Sequence, residues 1–150
     1  MAHVFSTDSR IRMAAAAMAA LLVSASGKAE QASGLIIDIS GLSPTSGSVM
    51  IGVYDSADAW DDGQAVGGAR AEVDGGQVRA VVSDLPPGRY GIKLYHDVNG
   101  NGELDTNLMG MPTEPYAFSN NALGRFGPPS WDAAVFELSA ESLVHSIRFD

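Results

Sequence analysis

Residues 77–94 read Gln77-Val78-Arg79-Ala80-Val81-Val82-Ser83-Asp84-Leu85-Pro86-Pro87-Gly88-Arg89-Tyr90-Gly91-Ile92-Lys93-Leu94. Successive side chains of an extended chain point to opposite sides, so Val78, Ala80 and Val82 share one face and Tyr90, Ile92 and Leu94 share another. Between the two rows, proline fixes φ and removes a ladder donor while glycine tolerates a reversal, which makes Pro86-Pro87-Gly88 a turn. The stretch is two half-buried strands joined by a tight connection.

The same alternation recurs on both sides. Leu35, Ile37 and Ile39 form a row, as do Val49, Ile51 and Val53; later rows are Ala134, Phe136 and Leu138, then Leu143, Ile147 and Phe149. Turn signals separate them at Ser43-Pro44-Thr45-Ser46-Gly47 and Asp74-Gly75-Gly76. No segment after residue 25 sustains helical periodicity over three turns. A sheet must bury one face on another sheet, so the pattern predicts an all-β fold, an antiparallel, immunoglobulin-like β-sandwich of about seven strands. Two stretches exceed simple turns. Asp55 to Gly68 places Asp55, Asp58, Asp61 and Asp62 around Trp60, and Asp97 to Trp131 shows no strand pattern. A connection of the latter length in a small domain is read as functional, and its aromatics (Tyr116, Phe118, Phe126, Trp131) argue against disorder.

Composition narrows the function classes. The chain has 150 residues, 17 Gly, 7 Pro, no Cys and a formal charge of −9. Without cysteine there are no disulfides, thiolate metal sites or cysteine nucleophiles. Nucleic acid is an unsuitable partner, since phosphate binding needs clustered Lys and Arg and this chain carries 9 basic against 18 acidic residues. Residues 1–25 are of another kind: His3, Arg10 and Arg12 precede an apolar run from Met13 to Val23, followed by the small residues Ser24 and Ala25. That is the pattern of a signal peptide, and the run is shorter than the roughly 20 apolar residues of a membrane-spanning helix. The expected organisation is a signal peptide over 1–25, a flexible leader over 26–34 and a β-sandwich over 35–150. The corresponding location is the periplasm or the exterior, with no transmembrane span and a monomeric state.

One motif carries definite chemistry. Asp97, Asn99 and Asn101 supply oxygen side chains at positions 1, 3 and 5 of a loop, Gly102 stands at position 6 and Asp105 at position 9. Calcium takes six to eight oxygens, so a tight loop that folds alternate side chains inward suits it, with the Glu103 carbonyl as the position-7 ligand. The EF-hand version needs a bidentate glutamate at position 12, where Leu108 stands, and no helical pattern flanks the loop. Further ligands would come from water, Asn107, Glu114 or another loop. Between Lys93 and Arg125 there is no basic residue but His96, whereas Asp97, Glu103, Asp105 and Glu114 all fall there. Asp and Asn also close metal-free turns through their own side chains, which stands as the competing reading.

Other constellations are weaker. His96 continues the row of Tyr90, Ile92 and Leu94, and His145 shares the phase of Leu143 and Ile147; a single histidine on an apolar row reads as a hydrogen-bonded core residue. A hydrolytic set of His96, Asp97 and a serine such as Ser119 is the enzymatic alternative, although nothing in the sequence brings the serine near. No dinucleotide fingerprint or phosphate loop is present. Residues 116–131 combine aromatics, amides, Arg125 and prolines, a mixture suited to a protein- or glycan-binding surface, or to an Ω-loop covering a sheet edge.

Leu85-Pro86-Pro87-Gly88-Arg89-Tyr90, the run from Tyr95 to Asp105, the run from Gly110 to Tyr116 and Phe118-Ser119-Asn120-Asn121-Ala122 together resemble the bacterial domain-of-unknown-function family 2141, over Leu35 to Phe149. The resemblance implies a small exported protein of Gram-negative bacteria and carries no activity or catalytic residues to transfer. The step through Pro86, Pro87, Gly88 and Tyr90 into a strand is also similar to prealbumin-like and surface-adhesin sandwiches. The expectation is therefore an exported non-catalytic β-sandwich, with structural calcium at Asp97, Asn99, Asn101, Glu103 and Asp105 and a binding loop at 116–131. A metal-free structural envelope protein and a hydrolase using His96 and the long loop are the alternatives.

Overall fold

The computed structural model describes residues 33–150; the expected signal peptide and most of the leader lie outside the described residues. Two sheets pack face to face. The smaller holds β1 (Ser33–Ser40) between β4 (Gln77–Leu85) and β8 (Leu143–Arg148). The larger runs β3 (Gly67–Glu72), β2 (Ser48–Tyr54), β5 (Gly88–Asp97), β6 (Tyr116–Phe118), with β7 (Phe136–Leu138) pairing the start of β5. The chain is an all-β sandwich, as the alternating rows require.

The rows meet in register. Ile37 lies opposite Ala80 and Ile39 opposite Val78, while Ile51 lies opposite Leu94 and Val53 opposite Ile92. All eight are buried in one core with Leu35, Val49, Val82 and Tyr90. Burial of each such aliphatic side chain contributes roughly 1.5–3 kcal/mol against the entropy of ordering it. Phe149 and Ile147 complete the core from the C-terminal end.

Five elements depart from the sequence expectation. β8 lies on the side of β1 away from β4 and pairs with it in parallel, so the smaller sheet is mixed and not wholly antiparallel. β3 reads Gly67-Gly68-Ala69-Arg70-Ala71-Glu72 and has no large apolar row, yet it is ordered by its ladder to β2. The 97–131 stretch is not strand-free: β6 pairs three residues with β5. The acidic stretch after Asp55 contains a helix, α1 (Ala57–Asp62), capped by the Ser56 side chain, which accepts from the Ala59 N–H, and by left-handed Gly63. Ala134 belongs to a second short helix, α2 (Trp131–Ala134), and not to a strand row.

The outer face of the larger sheet is half covered. α1 delivers Trp60, almost fully buried, onto Tyr54 and Trp131 with ring centroids 5.6 and 5.9 Å apart. Its indole N–H donates to the Pro129 carbonyl at 3.1 Å. Gly91 lies under both indoles: a Cβ there would stand 2.8 Å from Trp60 and 2.9 Å from Trp131. This aromatic cluster, with Phe118 and Ala134, is a second core separate from the sandwich interior. Beyond it the outer face stays open.

Candidate functional site

β5 ends at Asp97, whose side chain is fully buried. Its Oδ1 accepts from the Gly100 N–H at 2.7 Å and the Asn101 N–H at 3.1 Å, and Oδ2 accepts from the Gly102 N–H at 2.8 Å. Gly102 adopts φ 80°, the left-handed conformation that the reversal requires. Asn99 Oδ1 accepts from the Asn101 N–H and Asn101 Oδ1 from the Glu103 N–H, while both side-chain amides donate to the Asp105 carboxylate. Glu114, also buried, closes the far side, accepting from the Val98 and Asp105 N–H groups at 2.9 and 3.2 Å. The five residues expected as calcium ligands are thus brought together and joined by hydrogen bonds within the loop. Among the described residues no group of three or more His, Cys, Asp or Glu side chains converges on a common point.

The loop stands beside the uncovered part of the sheet. Two rungs of the ladder floor that area: Gly52, Lys93 and Phe118 lie opposite one another across β2, β5 and β6, and so do Met50, Tyr95 and Tyr116. Tyr95 Oη donates to the Gly102 carbonyl at 2.7 Å, which ties floor to loop. Burial raises the Tyr95 pKa, and the charges of Asp97, Glu114 and Glu103 raise it further. One wall rises from Leu104, Met111 and Pro112, the other from Gly124 to Pro128. The first wall is held by the Asn107 side chain, whose Oδ1 accepts from the Met109 and Met111 N–H groups, and by the bridge between Thr106 and Pro112. Floor and walls enclose a cleft of about 710 Å3.

The cleft is apolar with few polar groups. Lys93 sits at its floor with Nζ 4.5 Å from the Trp60 ring centre and 4.8 Å from that of Tyr54, and donates to the Trp60 carbonyl. Burial lowers the Lys93 pKa, and the Asp61 charge works the other way. Gly52 keeps the floor low: a Cβ there would stand 3.0 Å from the Tyr54 hydroxyl. Residues 116–131 divide between two tasks. Phe118 and Trp131 pack into the second core, whereas Tyr116 and Phe126 remain exposed on the cleft lining and Leu123 is exposed outside that lining.

His96 and Ser119 are fully buried. His96 Nε2 donates to the Ser46 carbonyl at 2.6 Å, its ring stands edge-on to Phe149, and Nδ1 is buried without a partner. Ser119 Oγ donates to the Ala134 carbonyl at 2.6 Å and accepts from the Ile92 N–H at 2.9 Å. Each is held by backbone groups, and no hydrogen bond joins them. His145 is half-buried and stacks on Phe136 with ring centres 4.3 Å apart, its Nε2 accepting from the Asn120 N–H. The sequence reading missed Gly52, Lys93 and Met111. Period-two spacing puts Gly52 and Lys93 on the face opposite the core rows, and only the pairing of β2 with β5 makes them neighbours.

A family model described as "Uncharacterized protein conserved in bacteria (DUF2141)" matches residues 37–145. No curated protein and no solved structure matches the chain.

Proposed function

The chain belongs to the bacterial DUF2141 family, and for this member we propose an exported, non-catalytic binding module that takes a small ligand in the cleft on the outer face of its larger sheet. The observation that carries the reading is the cleft itself. Its volume of about 710 Å3 lies within the roughly 300–1,000 Å3 of small-molecule sites, which are apolar with a few polar groups that fix orientation. The exposed Met111, Tyr116 and Phe126 on its lining would be covered by a bound ligand. Export rests on the pattern of residues 1–25, and amino-terminal sequencing of the secreted or periplasmic protein checks it. The binding reading is tested by a nuclear magnetic resonance titration of the folded domain with a panel of apolar acids, alcohols, oligosaccharides and short peptides. Amide shifts clustered on Gly52, Tyr95, Met111 and Phe126 are expected from at least one class. A panel that leaves those amides unmoved overturns the reading.

A second reading places calcium at the Asp97–Asp105 loop. It is favoured by charge: buried Asp97 and Glu114 share the loop with Glu103 and Asp105, and none of the four forms an ion pair with a basic side chain among the described residues. A divalent cation would neutralise that group and, binding the native state alone, would add about 2.7 kcal/mol at a hundred times its dissociation constant. Thermal melts in several millimolar calcium and in chelator are expected to differ for the native sequence and to coincide for Asp105→Asn. Coincident melts of the native sequence remove calcium from the loop.

A further inference from the structure

We infer that the ligand of the cleft is a single-chain amphiphile with an anionic head, and that Arg125 receives the head. The inference rests on the reading of the cleft as a binding site and adds the chemistry of its occupant.

Charge distribution carries the argument. The protein has 18 acidic residues against 9 basic ones, yet no Asp or Glu lines the cleft, whereas Lys93 and Arg125 both do. The side-chain polar groups of the lining are two cations and the hydroxyls of Tyr54, Tyr95 and Tyr116; there is no carboxylate or amide. With two fixed cations and no carboxylate on its lining the site suits an anion; the tyrosine hydroxyls both donate and accept and do not set the sign, the Tyr95 proton being already given to the Gly102 carbonyl. The rest of the lining is Met, Leu, Phe and Pro, which suits an alkyl chain.

The two cations are not equivalent. Lys93 already donates to the Trp60 carbonyl, stands over two aromatic rings and feels Asp61. Arg125 is exposed and makes no hydrogen bond or ion pair within the described residues, although its guanidinium presents five donors. It stands next to exposed Phe126 on the same wall. A carboxylate satisfies a guanidinium fork through two parallel hydrogen bonds, and the adjoining apolar floor takes the chain. Wall residues from 124 to 128 hold one element of the site and the 104–112 segment the other, so the ligand is clasped between them.

Calorimetric titration with decanoate, decan-1-ol and decyltrimethylammonium tests this, alongside the resonance assignments above. Decanoate is expected to bind at least about tenfold more tightly than decanol, the advantage of a charge-assisted pair over a neutral one, with the cationic amphiphile weakest. Arg125→Gln, an exposed change that leaves the core alone, is expected to reduce the preference for decanoate to less than about threefold with decanol affinity kept. Arg79→Gln, on the other sheet, is the control for bulk charge and leaves the preference intact. Equal binding of decanoate and decanol, or a preference that survives Arg125→Gln, overturns the anionic head while the cleft reading stands. Silence from all three alkyl ligands, with oligosaccharide or peptide shifts on the cleft, overturns the amphiphile. Only silence from the whole panel removes the cleft reading as well.

Discussion

Asp97 shows how one side chain can fix a loop. Three backbone N–H groups converge on its two oxygens, and each hydrogen bond to an ionised acceptor is stronger than a neutral one. Truncation leaves all three donors without their acceptor in a partly buried place. Asp97→Ala is therefore expected to destabilise the domain by about 3 kcal/mol, the cost of losing several charged hydrogen bonds at once. Asp97→Asn retains one oxygen acceptor and is expected to lose about half as much. Urea midpoints at unchanged slope measure both, and a loss below about 0.5 kcal/mol for the alanine variant, the range of ordinary surface changes, contradicts the role given to Asp97. The same residue feeds the cleft, since the loop it fixes carries Leu104 into the wall and offers the Gly102 carbonyl to Tyr95.

At the scale of elements, what was legible in the sequence follows how each element is held. The core strands announce themselves because one face of each must be apolar: Val49, Ile51 and Val53 of β2, and Tyr90, Ile92 and Leu94 of β5, all lie in the core that their spacing implies. The Asp97 loop was legible too, because glycine and Asx residues at those spacings have few other uses, although spacing alone could not separate a cation site from a loop closed by its own bonds. β3 and β6 were not legible. β3 offers glycine and alanine where a row should be, and its order comes from β2. β6 is three residues long, too short for a period, and its order comes from β5. α1 was hidden for a related reason: a six-residue helix is too short to be stable alone and exists because Trp60 finds a seat on Gly91. The cleft floor belongs to this second class. Gly52, Lys93 and Phe118 are 66 positions apart end to end in the chain and become one surface only through strand pairing.

The whole molecule is two sheets, and their edges need fastening where the long connection crosses between them. His145 stands at that place. It belongs to β8 of the smaller sheet, stacks on Phe136 of β7 in the larger one, and accepts the N–H of Asn120 from the turn after β6. Nearby, the Arg148 N–H donates to the Asn121 side chain at 2.8 Å, so β8 is tied to this turn twice. Burial lowers the His145 pKa from its ordinary value of 6.5. A protonated ring would also lose the lone pair that accepts from Asn120. Because the unfolded chain takes up this proton more readily than the folded one, the stabilising contribution of neutral His145 is complete above pH 6.5 and declines as pH falls below it toward the lowered folded-state value. His145→Gln removes the titration while the carboxylates common to both proteins keep theirs. Urea midpoints taken at pH 7.5, 6.5 and 5.5 are expected to fall more steeply for the native protein than for the variant, so that the advantage of the native protein is largest at pH 7.5 and shrinks toward pH 5.5. Parallel profiles would mean that β8 and the turn after β6 are held together without regard to the charge of the imidazole, and the clasp between the sheets would then rest on Asn121 and the Phe136 ring alone.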